Sequence, residues 1–116
     1  MNALVFKICH ADEWRAAEAA CVYHGSVKDR ADGFLHFSTA AQLMGTLTRY
    51  YADADDLVLV AVDANALGSA LKYEPSRDGQ LFPHLFGNLP RVAVRWVRPI
   101  ARDPQGSFVL PAELTA

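Results

Sequence analysis

The segment Gly33-Phe-Leu-His-Phe-Ser-Thr39 sets one imidazole and two hydroxyls in an otherwise apolar run. Phe34, Leu35 and Phe37 suit a buried strand, and His36 is the residue among them that can donate, accept and change charge near neutral pH. Thr39 reads as the N-cap of a helix from Ala40 to Tyr51, with Gln42 three residues on to complete a capping box. Free backbone N–H groups at that helix start, beside Ser38 and Thr39, suit an anion or a nucleotide. A second histidine, His84, stands in the similarly apolar frame Phe82-Pro-His-Leu85, so a cleft shared by both imidazoles is expected. Glu74, at a strand end before Pro75, is a carboxylate that can orient a ribose hydroxyl or act as a base. Lys72 and Arg77 flank it and can hold a pyrophosphate. Each residue also has a plainer use: a core histidine satisfied by one carbonyl, a serine in a turn or cap, a glutamate in a turn.

Other chemistries have weaker support. Cys9-His10 and Cys21-x-x-His24 offer four metal-binding side chains, but adjacent strand residues point to opposite faces, so no zinc site is expected. There is no Gly-x-Gly-x-x-Gly after a strand and no phosphate-binding Gly-Lys-Ser/Thr. Cys9 and Cys21 read as reduced core thiols, the latter buried at the end of an Ala-rich helix.

The elements that must position these groups follow from periodicity. Residues 3–9 read as a strand, and Asp12 opens a helix to about Cys21 with Trp14, Ala17 and Cys21 on one side. Residues 23–32 read as a polar connection, 33–37 as a strand, and 40–51 as a helix with Leu43, Leu47 and Tyr50 at helical spacing. Residues 57–62 are apolar on both faces, which marks a central strand, and Asp63 caps a short helical turn through Leu67. Strands are expected at 71–74 and 81–86 around a turn from Pro75 to Gly79, and a long strand at 92–100 precedes an extended tail. The fold class is α+β: a single domain over 1–116, with two main helices against a bent, mostly antiparallel sheet.

Composition agrees with this. At 116 residues and 52% hydrophobic content the chain can bury one real core. A charged fraction of 21% and a net charge of −2 argue against an electrostatic nucleic-acid binder. Arg91, Arg95, Arg98 and Arg102 read as the solvated face of a strand. The first residues lack the pattern of a signal peptide and no apolar run is long enough to span a membrane, so a cytoplasmic protein without membrane contact is expected.

The segments Tyr23-His-Gly-Ser26, Asp32-Gly-Phe-Leu-His-Phe-Ser-Thr39, Asp55-Asp-Leu-Val-Leu-Val60, Leu71-Lys-Tyr-Glu-Pro-Ser-Arg77 and Leu81-Phe-Pro-His-Leu-Phe-Gly87 resemble, in order and spacing, the bacterial domain-of-unknown-function family 952. That family is similar to small ADP-ribosyltransferase-like domains, in which a split β-sheet grips NAD in the cleft between its halves. His24-Gly25-Ser26 resembles the His-Gly-Ser or His-Gly-Thr turn of poly-ADP-ribose polymerases and RNA 2′-phosphotransferases. Leu35-His36-Phe37-Ser38 is similar to a His-Val-His-Leu-Ser strand of the latter. The resemblance implies binding of NAD or a related nucleotide as small-molecule ligand, and leaves open transfer or removal of an ADP-ribosyl or phosphate group. His36, Glu74 and His84 are then the expected catalytic residues. Tyr23, His24, Gly25, Ser26, Ser38, Thr39 and Arg77 are the expected ligand-binding ones. The chain departs from the polymerase-like pattern in having no alignable late glutamate, and from the phosphotransferases in lacking arginines in the strand of His36. The alternative is a non-catalytic ligand- or protein-binding domain that keeps the cleft.

Overall fold

The computed structural model describes residues 3–115, so Met1, Asn2 and Ala116, the ends of the domain expected over 1–116, lie outside the described residues. In chain order the elements are β1 (Leu4–His10), α1 (Ala11–Ala20), β2 (Val22–Tyr23), α2 (Val27–Asp32), β3 (Leu35–His36), α3 (Leu43–Tyr50), β4 (Leu57–Asp63), α4 (Ala64–Leu67), β5 (Leu71–Pro75), β6 (Leu81–Leu85), β7 (Leu89–Pro90), β8 (Val94–Pro99), β9 (Ala101–Arg102) and β10 (Phe108–Val109). A single 3₁₀ turn, Ala40–Gln42, leads into α3.

The doubly apolar run of β4 lies where such a run must lie, in the middle of a three-stranded antiparallel sheet between β1 and β8. Its side chains alternate between two cores. Val60 and Val62 pack with Trp14, Tyr23, Leu35 and Leu89 on one side. Leu57, Leu59 and Ala61 pack with Phe6, Ile8, Leu43 and Leu47 on the other.

A second three-stranded antiparallel sheet has the order β3-β6-β5, with His36 opposite His84 and Lys72 opposite His84 on the other flank. The β3–β6 ladder stops one residue later for a chemical reason. The Phe37 N–H still donates to the Pro83 carbonyl at 2.9 Å, but proline has no N–H to return the bond. The chain then leaves β6, and Ser38 exchanges both backbone bonds with Phe6 on the edge of β1, at 2.8 and 2.9 Å. The two three-stranded sheets therefore meet through the Phe6–Ser38 bridge.

Several local expectations change. Residues 23–32 contain a strand and a helix as well as a connection. Cys9 is buried, but Cys21 is exposed: α1 ends at Ala20 and Cys21 turns into the left-handed region (φ 62°), carrying its side chain off the apolar face. Leu43 and Leu47 are fully buried as their spacing requires, whereas Tyr50, at the last turn of α3, extends past the core and is 58% exposed. The last long strand is Val94–Pro99, and the tail folds back as the β9–β10 pair. Each of the late arginines has an acidic partner: Arg91 with Glu18, Arg95 with Asp63, Arg98 with Glu113 and Arg102 with Asp55. No helix among the described residues is long and apolar enough to cross a membrane.

Candidate functional site

A cleft of about 790 Å³ opens where the edge of β1 faces the second sheet. β1 contributes Lys7, α2 contributes Lys28, Asp29 and Asp32, and the β3 segment contributes Phe34, His36 and Ser38. Thr46 and Tyr50 come from α3, Glu74 and Arg77 from β5 and the turn after it, and Phe82 and His84 from β6.

The wall nearest β1 is organised by Asp29, which is 2% exposed. Its position follows from local capping: the Asp29 N–H donates to Ser26 Oγ at 3.1 Å, and the Ser26 N–H returns a bond to Asp29 Oδ2 at 2.9 Å. Gly25 (φ 103°) makes this approach possible, since a Cβ there would lie 2.8 Å from that of Asp29. The same carboxylate accepts from Lys7 Nζ at 3.0 Å, from the His36 N–H at 3.1 Å and from His36 Nδ1 at 2.6 Å. Burial alone would push the Asp29 carboxyl up, but the His36 hydrogen bond, the Lys7 charge and the Ser26 amide outweigh it and hold it well below the usual carboxylate range. Lys7 is 4% exposed, so it is a buried ion pair.

His36 is engaged at both ring nitrogens. Nε2 lies 2.9 Å from Asp32 Oδ2, and Asp32 is also bonded to Lys28 at 3.2 Å. The Lys28 hydrogen bond, with the charges of Lys28 and His36, holds the Asp32 carboxyl below its ordinary value. Both His36 ring nitrogens therefore lie within hydrogen-bond distance of carboxylate oxygens.

His84 is engaged at one nitrogen. Its Nδ1 lies 2.8 Å from Glu74 Oε1, and Phe34 stacks on its ring with centroids 4.1 Å apart. His84 lines the cleft, and among the described residues no protein group is bonded to its Nε2. The Phe34 ring also packs on Phe86, at 5.2 Å.

Of the residues expected from sequence, His36, Glu74, His84, Ser26, Ser38 and Arg77 line this cleft. Tyr23, His24, Gly25 and Thr39 do not line it. Tyr23 is a core residue bonded to Cys9, and burial pushes its phenol far up. His24 is exposed on the surface. The Thr39 N–H donates to Gln42 Oε1 at 3.0 Å, so the helix start expected to hold an anion caps itself. Reasoning from sequence missed Lys7, Asp29 and Asp32. Two signals were present: a lysine inside the apolar run Leu-Val-Phe-Lys-Ile-Cys requires a buried partner, and Ser26-x-x-Asp29 has capping-box spacing. Among the described residues, no group of three or more His, Cys, Asp or Glu side chains is arranged to hold a metal ion.

Fold and site together define a mixed α/β domain with antiparallel sheets and a polar cleft that has a buried Lys-Asp-His wall on one side and a His-Glu pair on the other. The chain belongs to the family described as "Protein of unknown function (DUF952)", whose model matches residues 8–97. It is similar to protein CC0527 from Caulobacter crescentus: the X-ray structure is 38% identical over 98% of this chain and 100% of that one, with a TM-score of 0.91. The solution NMR structure of CC0527 is 39% identical over 90% of each chain, with a TM-score of 0.81. No curated protein matches the chain.

Proposed function

We propose that the cleft binds a phosphate-bearing nucleotide, with NAD first among them on the resemblance to ADP-ribosyltransferase-like domains, and that His84 moves a proton there during transfer or removal of an ADP-ribosyl or phosphate group. The observation that carries this reading is the Glu74–His84 pair. Glu74 accepts from Nδ1 and so fixes the ring's tautomer and orientation, which leaves Nε2 as the nitrogen able to take a proton from a ligand hydroxyl. The volume suits a ligand of nucleotide size, and the Phe34 ring supplies an apolar surface for a planar base. His36 has a different part in this reading: held by Asp29 and Asp32, it fixes the wall against which the ligand lies.

The test is titration of the protein with NAD, ADP-ribose and adenosine, followed by amide and imidazole NMR shifts and by release of nicotinamide or phosphate. Shifts centred on residues 34–38, 74–77 and 82–84 are expected. Absence of shifts at millimolar ligand overturns the reading. Binding without turnover selects the non-catalytic alternative.

A further inference from the structure

The ionic groups of the cleft are neutralised by one another, with one exception. Lys7 is held by Asp29, Lys28 by Asp32, and the two histidines by carboxylates. Among the described residues no carboxylate pairs with Arg77. Its half-buried guanidinium is held by neutral contacts instead: Nη1 donates to Thr46 Oγ1 at 3.2 Å, and Cζ lies 5.0 Å from the centre of the Phe82 ring. Thr46 is itself fixed, donating to the Gln42 carbonyl at 3.1 Å and lying 3.3 Å from the buried Ser38 hydroxyl. Gly45 gives the guanidinium its room, because a Cβ at that position would come to 3.0 Å from Nη2. Neutral partners orient an arginine without cancelling its charge. Most of its five N–H donors stay available, in the planar fork that matches the oxygens of a phosphoryl group.

We propose that the Arg77 end of the cleft is an oxyanion subsite, and that it takes a phosphoryl group of the ligand while His84 meets a hydroxyl of the adjoining sugar. Phe82, beneath Arg77, and His84 are two residues apart on β6, so they share a face and are separated by roughly 7 Å along the strand. That spacing fits a sugar phosphate, with the phosphoryl group at one end and a ring hydroxyl at the other. The inference rests on the nucleotide reading for the sugar and base, whereas the anion subsite stands on Arg77 alone.

The experiment compares wild type, Arg77→Ala and Gly45→Ala in titrations with ADP-ribose, ribose 5-phosphate, inorganic phosphate and adenosine, each variant being checked by thermal melting. Arg77→Ala is expected to weaken the phosphate-bearing ligands roughly tenfold or more, with adenosine unaffected. Gly45→Ala provides the control for folding. An alanine in the interior of α3 favours the helix, yet its methyl group crowds Nη2 and shifts the guanidinium slightly, so melting temperature should hold or rise while phosphate affinity falls less than in Arg77→Ala. Unchanged ADP-ribose affinity in both variants overturns the subsite and leaves the nucleotide reading intact. Binding of inorganic phosphate that depends on Arg77, without binding of ADP-ribose or adenosine, supports the subsite and removes the nucleotide reading. No binding of any of these by wild type overturns both.

Discussion

His36 and His84 stand opposite each other across β3 and β6 with ring centroids 5.7 Å apart, yet among the described residues His36 is bonded at both ring nitrogens and His84 at one. Two acidic side chains hold His36, one on each nitrogen, whereas Glu74 holds His84 on one. The pair therefore divides into a residue that fixes the wall and a residue with one ring nitrogen left without a protein partner among the described residues.

That division predicts opposite outcomes for two substitutions. His36→Ala removes a ring partner from the buried Asp29 carboxylate and should destabilise the fold by about 1–3 kcal/mol in urea denaturation. Glu74→Gln keeps an acceptor near His84 Nδ1 on a side chain that is 41% exposed, so stability should change little, and under the proposed function proton transfer by His84 should weaken. Equal and large losses of stability in both variants would contradict the assignment.

The Lys7–Asp29 pair is the most consequential ionic contact for folding. Replacing Asp29 by alanine strands a buried ammonium and removes the side-chain half of the α2 capping box, the acceptor of the Ser26 N–H, so a loss of roughly 3–5 kcal/mol is expected from urea denaturation. Asp32→Ala, at the exposed end of the same helix, should cost far less. Similar costs at the two positions would show that the buried pair does not organise the wall.

Asp29 also contributes to the acid limit of stability. Its carboxyl is lower in the folded protein than the ordinary 3.8, so the folded state binds that proton less readily than the unfolded chain does. The contribution is complete above the ordinary carboxylate value and is lost as pH falls through the lower, folded one. Urea midpoints measured from pH 7 to pH 2 should therefore stay level and then fall on the acid side of the carboxylate range. The fall should be shallower in Asp29→Asn, and an identical acid slope in that variant would place the titration elsewhere.

The features legible in the sequence were those carried by periodicity. β4, with apolar residues on both faces, had to be central, and Phe82-Pro-His-Leu85 read as an apolar frame around His84. The cleft's first wall was not legible, because it depends on three residues far apart in the chain. Lys7, Asp29 and His36 meet only when Pro83 ends the β3–β6 ladder and Ser38 bridges to Phe6. α2 was hidden for a local reason: six residues are too few to show helical periodicity, and its capping box uses aspartate in place of the commoner glutamate. Cys21 illustrates the converse, since helical spacing put it on the apolar face and the left-handed turn at the end of α1 took it off.

The two cysteines provide the last test, because they occupy opposite environments only if α1 ends where it does. Cys9 is 2% exposed on β1, and burial pushes its thiol up to about 11 despite the nearby Lys7 charge and the Tyr23 hydrogen bond. Thiolate is the reactive form, so Cys9 should be inert toward a thiol reagent at pH 8 until the protein unfolds. Cys21, exposed at the helix end, should react at once. Stopped-flow labelling should then show one fast equivalent in native protein and a second that appears with the urea unfolding transition. Two slow thiols would place Cys21 back in the core, and two fast ones would mean that β1 does not bury Cys9.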